Sequence, residues 1–152
     1  MSFSDAMTLG DARDELRTLV DEGHRCPLCT QFAKVYKRTI HSTMAVELIR
    51  FYRAAGREPF DLPSLTTKRS GDPAKLRYWG LLRALDGERD DGSDRVGIWQ
   101  VTELGERFVL GRASVPKYAR VYDGRCLGLH GKPVTIRECL GERFDYRELM
   151  AA

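Results

Sequence analysis

The apolar positions of this chain fall into short runs, most of them closed by glycine or proline, and their spacing predicts the elements. Asp11 reads as an N-cap with an acidic first turn at Asp14 and Glu15. Leu16, Leu19 and Val20 then form an apolar stripe, and Gly23 ends the helix. Residues 24–31 read as a tight loop, after which Phe32, Val35 and Tyr36 precede the basic pair Lys37-Arg38. A second helix is predicted from near Ser42 to Ala55, closed by Gly56. Its apolar residues Met44, Leu48, Phe51 and Ala55 recur at steps of four, three and four, widened by Ala45, Ile49 and Tyr52. An apolar face that wide places this helix at the centre of the core, with Arg50 and Arg53 on its polar side.

Pro59-Phe60-Asp61-Leu62-Pro63 reads as a short extended piece, because the residue before each proline is biased away from helical angles. Thr66 to Gly71 reads as a loop. Asp72 then caps a helix with Pro73 at its first position, running from Lys75 to Leu82. After the turn-rich Asp86–Asp94 segment, Val96 to Val101 reads as a strand with Trp99 and Val101 on one face and Ile98 and Gln100 on the other. Thr102 caps a helix through Leu110, ended by Gly111. Tyr118–Tyr122 and Arg125–Leu127, separated by Asp123-Gly124, predict a β-hairpin. Thr135 with Glu138 and Asp145 with Glu148 predict two short closing helices, 136 to about 140 and 146–150.

The chain has 152 residues, of which 42% are hydrophobic and 31% charged, enough apolar material for one folded core. No apolar run reaches the roughly 18 residues a membrane span needs, and the acidic first twenty residues do not read as a signal peptide. The expectation is a soluble cytoplasmic protein with no membrane partner. The net charge of +3 hides an asymmetry. Residues 31–85 carry eleven basic against four acidic side chains, interleaved with Phe32, Tyr36, Phe51, Tyr52, Tyr78 and Trp79. That composition suits phosphates and stacked bases, and equally a solvated face whose aromatics point inward.

Residues 42–110 give the order helix, extended piece, helix, strand, turn, strand, helix. With Trp99-Gln100-Val101-Thr102-Glu103-Leu104-Gly105-Glu106-Arg107-Phe108, this resembles the end of winged-helix domains, where a wing strand leads into a closing helix. In that pattern Thr102 caps the helix, Gly105 lets it pack close to a neighbour, and Phe108 returns to the core. Two departures stand out: no extra helix is visible between Ala55 and Asp72, and the loop between the wing strands, with Asp90, Asp91 and Asp94, would repel phosphates. A DNA surface would therefore be built from Lys68, Arg69, Lys75 and Arg77, supported by Lys37 and Arg38. Asp72 and Pro73 would set Lys75 and Arg77 in the first turns of their helix, beside donor groups suited to a phosphate.

Cys26-Pro27-Leu28-Cys29 resembles the C-P-x-C knuckle of rubredoxin-like and zinc-ribbon sites, with Thr30 where such knuckles usually carry glycine. A closed zinc site needs two more ligands, for which His24, His41, Cys126, Cys139 and His130 are candidates, within one chain or across a homodimer. A pair of reduced thiols remains equally open, and a redox pair ranks below both because a charged helix end precedes the motif. Cys126 and Cys139 read as small buried hydrophobes. The three histidines lack a partner at a recognisable offset, and no phosphate loop, H-E-x-x-H or G-x-S-x-G appears, so the chain does not read as an enzyme.

Cys26–Cys29, Lys34-Val35-Tyr36-Lys37-Arg38, Leu76-Arg77-Tyr78-Trp79-Gly80-Leu81-Leu82, the Trp99–Phe108 motif and Phe144-Asp145-Tyr146 together resemble uncharacterised proteins of bacteriophages and prophages. The expected architecture is α+β. Residues 1–41 hold a helix and knuckle, 42–111 a winged-helix-like core, and 112–152 a hairpin and short helices packed on it. The expected function is non-enzymatic binding of double-stranded DNA as a regulator. The alternative is an interaction module that takes an acidic host protein.

Overall fold

The computed structural model describes residues 3–67, 73–85 and 97–151. Among these residues the chain forms a mixed α+β architecture of seven helices and three small antiparallel sheets. Helix α1 (Leu9–Leu19) begins earlier than Asp11 predicts. Its cap is Thr8, whose hydroxyl accepts the Asp11 N–H at 3.0 Å, so Asp11 sits in the first turn where its charge still favours the helix. The expected loop at 24–31 is the turn of a small hairpin, β1 (His24–Arg25) with β2 (Phe32–Ala33), followed by β3 (Tyr36–Thr39). Two-residue strands are too short to leave a period in the sequence.

Helix α2 (Ser42–Ala55) forms where its spacing predicts and buries Met44, Ala45, Leu48, Ile49 and Phe51. The next segment differs from expectation. The extended piece is β4 (Phe60–Asp61), and the chain then re-enters a helix, α3 (Leu62–Leu65), which the sequence reading lacked. Asp61 caps it through the Ser64 N–H at 3.2 Å, with Pro63 tolerated inside the first turn where no donor is needed. A single turn is too short to show helical periodicity.

The expected helix through Leu82 is instead a 3-10 helix, η1 (Pro73–Trp79). Gly80, at φ 72°, turns the chain so that Leu82 opens strand β5 (Leu82–Ala84). Strand β6 (Ile98–Val101) lies between β4 and β5, burying Trp99 and Val101 while Ile98 is exposed and Gln100 half-buried. Thr102 caps α4 (Glu103–Val109) by accepting the Gly105 N–H at 3.0 Å, and Phe108 is fully buried. A Cβ at Gly105 would sit 2.2 Å from the Leu81 carbonyl oxygen, so the close approach expected of this glycine is real.

Strands β7 (Val115–Tyr122) and β8 (Arg125–Val134) form a longer hairpin than expected, turned by Asp123 at φ 50° and Gly124 at φ 71°. Strand β3 pairs with the free edge of β7, giving the order β3-β7-β8. Helix α5 (Ile136–Leu140) has the reciprocal Thr135–Glu138 capping box, and α6 (Tyr146–Ala151) follows Asp145, which accepts the Glu148 N–H at 3.0 Å. One buried cluster joins α2, η1, β6, α4, β7 and α5 through Leu48, Phe51, Trp79, Val101, Phe108, Ala119 and Ile136. Among the described residues no helix is long and apolar enough to cross a membrane.

Candidate nucleic-acid interface

Strand alternation separates the two basic residues of β3. Lys37 lies over the ring of Tyr118 at 3.8 Å from its centroid, whereas Arg38 stacks on Tyr36 at 5.0 Å, on the opposite face. Tyr118 is a hub. Lys117 also approaches its ring, and the His130 ring lies 5.4 Å away across the β7–β8 pair. Beside Tyr118 a groove of about 660 Å³ is walled by His41, Lys117, Lys132, Glu138, Cys139 and Arg143.

The start of α2 supplies His41. Its Nδ1 is 2.7 Å from the Thr43 hydroxyl, and its imidazole is held below its ordinary pKa, first by desolvation and then by the charge of Lys75. Lys75 of η1 therefore lies near His41. Arg77 does not. It stacks on Tyr78, donates to the Ala74 carbonyl at 2.9 Å and reaches the Gly124 carbonyl in the β7–β8 turn at 3.4 Å. Seven residues of 3-10 helix also lack the aligned α-helical donor array expected beside Lys75 and Arg77. Lys68, Arg69 and the capping Asp72 lie outside the described residues, as does the acidic Asp86–Asp94 segment.

Among the described residues the ion pairs are Arg17–Asp14, Arg50–Glu47 and Arg120–Asp21. Lys37, Arg38, Lys75 and Arg77 thus form no ion pair with a described carboxylate. Lys117, Lys132 and Arg143 escaped sequence reasoning because residues 95–152 hold ten basic and seven acidic side chains, a balance with no visible cluster. Their positions at the β7–β8 base and after α5 bring them to the groove.

Cys26 and Cys29 both lie in the segment that joins β1 to β2. The Cys29 N–H, then the Leu28 N–H and the Cys29 thiol, hold the Cys26 thiol below its ordinary pKa against a smaller opposing effect of desolvation. Both cysteines are free thiols. His24 and His41 are not gathered with them. The His24 Nδ1 bonds the Arg25 carbonyl oxygen at 2.8 Å and its ring meets Phe3, while His41 lies in the groove. Among the described residues no three His, Cys, Asp or Glu side chains stand together as a metal-holding group. Cys126 is exposed on β8, not the buried hydrophobe expected, because the strand lies at a sheet edge with its first nine residues open to solvent. Cys139 packs against the core. Burial, then the charge of Glu138, pushes its thiol up to about 12. It stays protonated across physiological pH.

Comparison of the chain with protein-family models, with curated proteins and with solved structures finds no match.

Proposed function

We propose that this chain is a non-enzymatic double-stranded DNA-binding protein with a winged-helix-like core over residues 42–111. Its role as a transcriptional regulator of phage or prophage origin rests on the resemblance of its motifs. The order α2, β4, α3, η1, β5, β6, α4, with β6 between β4 and β5, supports the winged-helix reading. Helix α3 stands where such a core needs a short helix before η1. The observation that carries the DNA reading is the groove at Tyr118, where Lys117, Lys132 and Arg143 outnumber Glu138 and Glu142 in the lining and Lys37 lies over the Tyr118 ring. Phosphates would neutralise these charges.

Duplex DNA affinity, read by fluorescence anisotropy, is expected to fall roughly 10²- to 10³-fold as salt rises from about 50 to about 200 mM, for four to six phosphate contacts. Lys117→Glu with Lys132→Glu is expected to abolish binding. Lys75→Glu with Arg77→Glu should weaken it less, since Arg77 lies away from the groove. Affinity flat in salt, or unchanged by both pairs, overturns the reading.

A second reading, an acidic protein partner, is favoured by a different surface. A groove of about 540 Å³ between α1 and the β7–β8 hairpin has Leu16, Val20, Val35 and Leu127 in its lining, with Arg13, Arg17 and Arg125 around them. Apolar floor and cationic rim together suit an amphipathic acidic segment. Arg13→Glu with Arg125→Glu would remove such a partner while leaving DNA binding intact.

A further inference from the structure

The turn between β1 and β2 gathers, in one chain, half of a metal-binding set. The Cys26 N–H donates to the Gln31 carbonyl at 2.8 Å, and the Cys26 carbonyl accepts the Thr30 N–H at 2.9 Å. That closure holds Thr30 at φ 63°, a left-handed conformation that a β-branched residue adopts only under constraint. Cys26 opens this closed turn and Cys29 lies three positions on, inside it. Two cysteines three positions apart in one closed turn form a seat for a thiophilic divalent cation.

One chain does not complete the site. A closed zinc centre takes four ligands, and no third His, Cys, Asp or Glu joins Cys26 and Cys29 among the described residues. The surroundings are unusual for a surface turn. Leu28, Leu9 and Phe32 are the three most exposed large apolar side chains among the described residues, at 69%, 63% and 57%. Leu9 and Leu28 line one depression with Phe3, Met7 and Pro27, next to the cysteines. Half a ligand set in a turn that carries uncovered apolar side chains fits a two-fold contact with the same surface of another copy.

We infer that a zinc ion is held between two copies of this chain, by Cys26 and Cys29 of each, and that the contact covers Leu9, Leu28 and Phe32. Four S–H bonds give way to four Zn–S bonds and four protons leave, so assembly weakens as the pH falls. This inference stands apart from the DNA reading, because its tests measure metal and mass without DNA.

Cobalt(II), added to the reduced, metal-free full chain, is the probe, followed by absorption and native mass spectrometry. The expected result is about one metal per two chains, a dimeric mass, and the charge-transfer and ligand-field bands of a tetrahedral tetrathiolate. A chelator should return the monomer. Cys26→Ser with Cys29→Ser should abolish both metal and dimer while circular dichroism and the thermal midpoint hold, since neither residue belongs to the main core. Leu28→Asp, which keeps all thiols, should weaken the dimer at least tenfold, and Cys126→Ser should change nothing. One metal per chain in a monomer, no cobalt spectrum, or a dimer that persists without metal or in the double variant overturns the inference.

Discussion

Along residues 3–35 the buried side chains are Glu15, Ala33 and Val35, whereas along residues 42–109 Leu48, Ile49, Phe51, Leu76, Trp79, Val101 and Phe108 form one continuous apolar cluster. The first region keeps its shape through hydrogen bonds: the Thr8 cap, the Val35 N–H on the Val20 carbonyl at 2.8 Å, and the closed turn at Cys26. The second keeps it through excluded water and filled volume. Sequence change should therefore act on backbone geometry in the arm and on volume in the core.

The largest effect is expected at Trp79, whose buried indole also donates to the Pro116 carbonyl at 2.8 Å and so ties η1 to β7. Trp79→Ala should cost about 3–5 kcal/mol in urea unfolding. A loss below about 1 kcal/mol would erase the contrast between regions. Gly105→Ala comes next, at about 1–3 kcal/mol, because the new Cβ meets the Leu81 backbone oxygen, which cannot rotate away. In the arm the sign reverses. Thr30→Gly should stabilise by about 0.5–1 kcal/mol by relieving the left-handed φ, seen as slower hydrogen exchange at the Cys26 and Thr30 amides.

Arg120→Ala breaks the ion pair that joins Asp21 in the arm to β7. Both partners are solvent-exposed, so the expected cost is about 0.2–1 kcal/mol, vanishing in high salt. The smallest effect concerns pH. The His41 pKa is lowered in the fold, so between that value and the ordinary 6.5 the unfolded chain binds the proton first. Its contribution is present in full above about pH 6.5 and is lost as the pH falls through the folded value. His41→Gln should flatten that part of the acid limb. An unchanged pH profile would show that Lys75 and the groove wall do not act on this ring.

Long, strongly periodic or capped elements were legible without a structure. Helix α2 was read from Ser42 to Ala55, the Trp99/Val101 face of β6 from alternation, α4 from Thr102, and the turn at Asp123-Gly124 from its dipeptide. Short elements were not. One turn at Leu62–Leu65, the two-residue strands of the knuckle and the early stop of η1 at Gly80 leave too few positions to define a period. The candidate site was legible in part. Lys37 and Lys75 stood out in a cation-rich segment, but the spread of Lys37 and Arg38 to opposite faces depends on pairing with β7, and Lys117, Lys132 and Arg143 carry no local signal.

By itself the amino-acid sequence determined the local terms: which residues cap, which turn, and which face of α2 is apolar, because each depends on neighbours a few positions away. Tertiary structure alone decided which charges share a groove. It brings β3 onto the edge of β7 across about eighty residues of chain and sets η1 against the hairpin, contacts selected by the packing of the whole core and by nothing in any single segment.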